Sequence, residues 1–163
     1  MVDDLESRIQ AYANKRELKI TRKLGEGIDG LVIRTEYSAL KAFYRADNFD
    51  REVGCYQRLA QHGFSSVAGF NVPQYIDSDR DLMVLEMTIV TAPYVLDFGK
   101  AYLDYQRFHS PETLEHEAER YQELWGDHWP DIQRVLWKLE AIGIYYVDPL
   151  PGNLLPPNWN PQL

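Results

Sequence analysis

A chain of 163 residues with 17 Lys and Arg against 25 Asp and Glu carries a net charge of −8, and 45% of its residues are apolar. That is about one domain with material for a sizeable core, without the basic surface that nucleic acid or an anionic membrane attracts. No apolar run approaches the ~18 residues of a membrane span, the opening MVDDLESRIQ is acidic where a secretory signal is basic, and a single cysteine, Cys55, excludes an intrachain disulfide or a thiolate metal cage, so a cytoplasmic protein is expected.

Along the chain, Leu5, Ile9 and Tyr12 share one helical face, predicting a short helix from Asp3 to about Arg16. Leu18, Ile20 and Leu24 alternate with polar residues as in a half-buried strand. Strand-like runs follow at 31–34 and 39–43. From Asp47 to His62 the period changes to that of a helix, with Phe49, Val53, Tyr56 and Ala60 on one face and Gly63 as terminator. Two more strands are expected at 74–76 and 82–87, across the polar turn 77–81, and then a connector from Thr88 to Leu96. Ser110-Pro111 caps a helix bearing Leu114, Ala118, Tyr121 and Trp125. Pro130 opens another, with Ile132, Val135, Leu136, Leu139 and Ile142 inward, ending at Gly143. Trp125, Trp129 and Trp137 are expected in the core of these helices. A strand-rich half with one inserted helix followed by a helical half predicts an α+β layout in two lobes.

Three segments could carry chemistry. Gly25-Glu26-Gly27-Ile28-Asp29-Gly30 has the spacing that lets backbone N–H groups approach a polyphosphate. A dinucleotide fold needs its third glycine to open a helix. Gly30 opens Leu-Val-Ile instead, so the loop belongs to a hairpin, either nucleotide-binding or an ordinary turn. Lys41 ends a half-buried strand, where a lone ammonium is costly, and Glu52 sits near the apolar face of the next helix. A Lys41–Glu52 pair satisfies both; the alternative has each reaching solvent. Third, a helix end and short strand lead to Asp148-Pro149-Leu150-Pro151-Gly152-Asn153, with Asp and Asn five apart. Such a pair can deprotonate an acceptor hydroxyl and hold a metal ion, or simply shape a proline-stiffened turn.

In this order the segments resemble the protein kinase superfamily, including its aminoglycoside-phosphotransferase-like members. The likeness runs from about residue 18 to 155. Gly25, Gly27, Gly30 and Val32 match its glycine-rich loop, Lys41 its strand-3 lysine, and Glu52 its helix glutamate. Leu85-Glu86-Met87 resembles the hinge that meets adenine through its backbone, which makes Glu86 and Met87 cofactor contacts. Asp148 matches the catalytic aspartate and Asn153 the metal-binding asparagine. The resemblance implies a two-lobed fold: an antiparallel N-lobe of five strands over about 1–87, a hinge at 88–95, and a reduced C-lobe of about three helices over 96–163. It further implies ATP, Mg2+ and a hydroxyl acceptor.

The chain departs from that pattern in places. Tyr146-Val147 stands where the family has His-Arg, and Leu150 where protein kinases carry a lysine. The sequence ends ten residues after Asn153, before the position at which the family's Asp-Phe-Gly metal site would follow. An Asp-Phe-Gly does occur, at 97–99, ahead of the Asp/Asn loop. The expectation there is that Asp97 caps a helix; a ribose contact or a substitute metal ligand is the other reading. The predicted function is therefore an ATP-dependent phosphotransferase with an incomplete metal site. The alternatives are an inactive, pseudokinase-like interaction domain with a protein partner, and a homodimer that covers the surface left by missing helices.

Overall fold

Every residue of Ala39–Phe43 (β3) is buried, because this strand runs between two helices on opposite faces of a sheet. The computed structural model describes residues 4–105, 110–147 and 149–160, and within them the chain is α+β. The main sheet also contains β1 (Ile20–Glu26), β2 (Gly30–Thr35), β6 (Tyr75–Asp79) and β7 (Val84–Met87). Its order is β1-β2-β3-β7-β6, with every neighbouring pair antiparallel.

Helix α1 (Leu5–Lys15) starts at Asp4, whose side chain accepts from the Glu6 amide at 3.0 Å. Its Leu5, Ile9, Tyr12 and Ala13 bury against Leu31, Ile33, Leu40, Ala42 and Val84 on one sheet face. Each large apolar side chain so covered is worth about 1.5–3 kcal/mol. Helix α2 (Ala46–Gln61) covers the other face with Phe49, Val53 and Tyr56. Alternation along β3 then sends Leu40 and Ala42 to α1, and Ala39, Lys41 and Phe43 to α2. The expected half-buried first strand is the exception. β1 is an edge strand, exposed from Thr21 onward, and Leu24 is 43% exposed, since neither helix reaches over it.

Beyond the sheet the structure differs from expectation in several ways. Ser66–Val67 (β4) and Phe70–Asn71 (β5) form a small hairpin. It joins Tyr94–Val95 (β8) and Leu154–Leu155 (β11) in a second sheet of order β11-β8-β5-β4. Asp97 caps a single 3-10 turn, Phe98–Lys100, not an α-helix; the chain then runs straight into β9 (Ala101–Leu103), which pairs with β10 (Ile144–Tyr146). Only two α-helices, α3 (Pro111–Trp125) and α4 (Trp129–Glu140), occupy the described part of the second half, where about three were expected. The cap at Ser110 forms as predicted, accepting from the Thr113 amide at 3.2 Å.

Helix α4 is followed by Gly143 in the left-handed region, φ 81°. That backbone conformation favours glycine, and a β-carbon there would also push aside the Asp104–Arg58 ion pair beneath the helix end. Trp125 and Trp129 are core residues, but Trp137 is 61% exposed, because the inward stripe of α4 is Ile132, Val135 and Leu139. Among the described residues no helix is long and apolar enough to cross a membrane.

Candidate functional site

Lys41 sits at the centre of the site. It is 6% exposed on the α2 side of β3, and Glu52, fully buried, projects from α2 to meet it at Nζ–Oε2 2.7 Å. The sequence argument for this pair was that neither charge could stay alone in the interior, and the two do meet. Burial opposes the Lys41 ammonium, but Glu52 and Asp97 outweigh it and hold its pKa above the ordinary value. For Glu52 burial dominates over the attraction of Lys41, and its pKa is raised. The second Glu52 oxygen, Oε1, is buried with no hydrogen-bond partner.

Asp97 reaches the same ammonium, Oδ1 lying 3.2 Å from Lys41 Nζ. Its backbone is left-handed, φ 58° and ψ 84°, a conformation that aspartate tolerates better than most residues. The same Oδ1 accepts from the Gly99 amide at 3.1 Å, which closes the turn and aims the carboxylate. Phe98 is fully buried as the anchor of that turn, edge-on to Tyr56 at 5.1 Å and to Tyr146 at 5.5 Å. The Tyr146 hydroxyl donates to the carbonyls of Leu96 at 2.7 Å and Asp97 at 3.1 Å, tying β10 to the turn.

Asn153 is brought in by strand pairing. β11 lies antiparallel to β8 and β10 antiparallel to β9. The Asp97-Phe98-Gly99 turn joins β8 to β9, and at its end the Lys100 carbonyl accepts from the Val147 amide at 3.4 Å, just after β10. The Leu96 amide donates to the Asn153 carbonyl at 2.6 Å. Asp148 lies outside the described residues.

A cavity of about 350 Å³ opens between these groups. Lys41, Glu52, Asp97, Gly152 and Asn153 line one part of it. Leu24, Gly25, Val32, Ala39, Met87, Ile89, Val90 and Leu96 give it an apolar wall. Of the expected site residues, Gly25, Val32, Lys41, Glu52, Met87 and Asn153 line this space.

Gly27, Gly30 and Glu86 are not part of its wall. Gly30 is required by packing: a β-carbon would lie 1.9 Å from the Ala42 carbonyl oxygen as β3 passes beneath. Gly25 and Gly27 have open space instead. Glu86 is a correction to the hinge expectation. Its backbone is committed inside the sheet, in register with Leu40 on one side and Asp77 on the other. Its side chain points to the α1 face, accepting from Tyr12 Oη at 2.9 Å, Ser38 Oγ at 2.9 Å and Arg16 Nε at 3.2 Å. The chain leaves the sheet after Met87, and Thr88, Ile89 and Val90 are the residues beside the cavity.

Sequence reasoning gave Asp97 a cap role, with a ribose contact or a substitute metal ligand as the other reading, and missed it as a partner of Lys41; the signal was the Asp-Phe-Gly tripeptide itself. Tyr56, Pro73 and Leu96 were missed as cavity lining, with no local signal to mark them. Scanning protein-family models and comparing the chain with curated proteins both find no match.

Proposed function

We propose that the cavity binds ATP and that the chain is a kinase-like phosphotransferase of two lobes, in which the Asp-Phe-Gly turn precedes the Asp/Asn loop in the chain. One observation carries this reading: Lys41 contacts Glu52 and Asp97 at once, in a cavity that Gly25, Val32 and Asn153 also line. That set supports the resemblance to kinases, and it supplies an Asp-Phe-Gly aspartate from the opposite side in sequence. The volume is within the range of small-molecule sites, and the apolar wall beside Met87 suits a purine ring.

Among the described residues no three carboxylate, histidine or cysteine side chains gather as a metal-binding group. The described part of the site offers Asp97 and Asn153 as oxygen ligands. It suits magnesium arriving with the nucleotide, because that ion takes one or two protein ligands and fills the rest with phosphate oxygens and water. Asp97 and Asn153 would hold it, and when bound it neutralises charge on the polyphosphate.

The residues of the chain then divide the work. Lys41, fixed by Glu52, presents a cation to the phosphates. Gly25 lets the backbone of the β1–β2 loop come close to them. Asp148 accepts the proton of the acceptor hydroxyl as the γ-phosphate transfers. Positioning and charge neutralisation supply nearly all of the rate in this chemistry, so loss of Asp97 or Asp148 should reduce turnover by orders of magnitude.

A thermal-shift titration with ATP, with and without magnesium, tests the reading. A magnesium-dependent rise in Tm that disappears in Asp97→Asn and Asn153→Ala supports a competent site. A rise that ignores magnesium leaves a nucleotide-binding, inactive domain. No rise under either condition removes the nucleotide reading.

A further inference from the structure

The tip of the β1–β2 hairpin carries a carboxylate that nucleotide binding does not call for. Asp29 is half-buried and its side chain turns inward. Oδ1 accepts from Asn48 Nδ2 at 3.2 Å. Oδ2 lies 2.7 Å from the point a Gly99 β-carbon would occupy, and Asp97 Oδ1 lies 3.0 Å from the same point. Gly99 is thus the residue whose missing side chain admits the loop carboxylate beside the Asp97 turn. The Asp29 backbone is also held, its carbonyl accepting from the Tyr44 amide at 3.1 Å.

Asn48 precedes Glu52 by one helical turn, so one face of α2 presents an amide to the loop and a carboxylate to Lys41. Arg51 Nη2 donates to Asn48 Oδ1 at 2.6 Å, which fixes the orientation of the amide and leaves its NH2 toward Asp29. The loop is thereby latched onto α2 and onto the Asp97 turn. The latch sets a second carboxylate behind Asp97, which lines the cavity next to Lys41. A polyphosphate drawn to Lys41 there meets the Asp97 carboxylate with Asp29 beside it, and like charges at short range in a half-buried site are strongly unfavourable.

Resting on the nucleotide reading, we infer that Asp29 is a specificity-determining residue: latched by Asn48, it bars the phosphate end of the cleft, so that phosphate-bearing nucleotides must lift the loop while a nucleoside enters beneath it. Only the fraction of molecules with the latch open accepts a triphosphate, and its apparent affinity falls by that fraction. Magnesium lessens the penalty by neutralising the incoming charge.

The test measures dissociation constants for adenosine, metal-free ATP and magnesium–ATP by calorimetry. It uses the full chain and its Asp29→Asn and Asn48→Ala variants, each first shown to keep a cooperative melt. Asp29→Asn is isosteric and removes the charge; Asn48→Ala removes the latch. The expected result is unchanged adenosine affinity in both variants and ATP binding tightened roughly fivefold or more, most of all without metal. Unchanged ATP affinity in both variants overturns the latch. Weaker magnesium–ATP binding in Asp29→Asn also overturns it, by making Asp29 a contact of the bound nucleotide. If neither adenosine nor ATP binds the wild-type protein, the nucleotide reading itself fails and this inference falls with it.

Discussion

Asp97 and Lys41 stand 56 residues apart in the chain and 3.2 Å apart in space, and the lysine is already paired with Glu52 at 2.7 Å. One ammonium between two carboxylates is a charged triad whose members depend on one another. Removing the cation leaves Glu52 buried without a partner, which costs about 3–5 kcal/mol. Lys41→Met should therefore lower stability by that order in urea denaturation, and adding Glu52→Gln should recover part of it. Asp97 is more exposed, and Asp97→Asn should change stability by less than about 1 kcal/mol while removing the magnesium dependence of the ATP thermal shift. Equal stability loss in Lys41→Met and Asp97→Asn would contradict this ordering.

The glycines of the β1–β2 loop should separate by role. Gly30→Ala drives a β-carbon into the Ala42 carbonyl and must shift a central strand, so a loss of several kcal/mol or failure to fold is expected. Gly25→Ala and Gly27→Ala meet nothing and should stay within about 1 kcal/mol of wild type. Gly25→Ala should weaken nucleotide binding, because Gly25 borders the cavity. Equilibrium unfolding of the three variants alongside ATP titration reads both effects.

Glu86 should matter to folding and not to ligand. Its carboxylate receives Tyr12, Ser38 and Arg16 beneath α1, and loss of the acceptor strands those donors. Glu86→Ala is expected to cost about 2–4 kcal/mol, and Tyr12→Phe about 1 kcal/mol. Adenosine affinity should be the same in both as in wild type. A selective loss of affinity in Glu86→Ala, at unchanged stability, would contradict this purely structural role.

Alkaline pH should unfold the protein in a window set by buried acids. Burial pushes the Cys55 thiol from 9.0 up to about 12. Its proton is kept in the folded state and lost in the unfolded one, so stability is full below pH 9 and falls by about 1.4 kcal/mol per pH unit above it. Tyr12 and Tyr56, raised by burial from 10.0, and Lys41, raised from 10.5 by its two carboxylates against the pull of burial, act in the same direction at higher pH. Urea midpoints from pH 8 to 11 should decline, and Cys55→Ala should flatten the segment that begins near pH 9. An unchanged slope in that variant would rule out the thiol as its source.

Much of the first half was legible because its signals are local. Periodicity places α1, α2, β2 and β3 within a residue or two, and the cost of isolated buried charge favours a Lys41–Glu52 pair over two solvated side chains. Glu86 is placed in the hinge by the resemblance alone, which carries no register; its pairing with Leu40 and Asp77 puts it inside the sheet. β4, β5 and β8 were missed for a related reason. Two-residue strands carry no period, and they exist because distant partners complete their hydrogen bonds.

What the residue order determined was the inventory: a glycine hairpin, a lysine and a glutamate that need each other, an Asp-Phe-Gly, and an Asp/Asn loop. It also fixed α+β character through the switch in hydrophobic period. Which of these groups share a cavity was decided by tertiary pairing. β8 with β11 and β9 with β10 bring the Asp97 turn beside Asn153, although Asp97 and Asn153 are 56 positions apart in the chain. Local patterns encode which face of an element is buried, whereas adjacency between elements depends on backbone hydrogen bonds that any extended segment can make; packing against the rest of the fold selects among them.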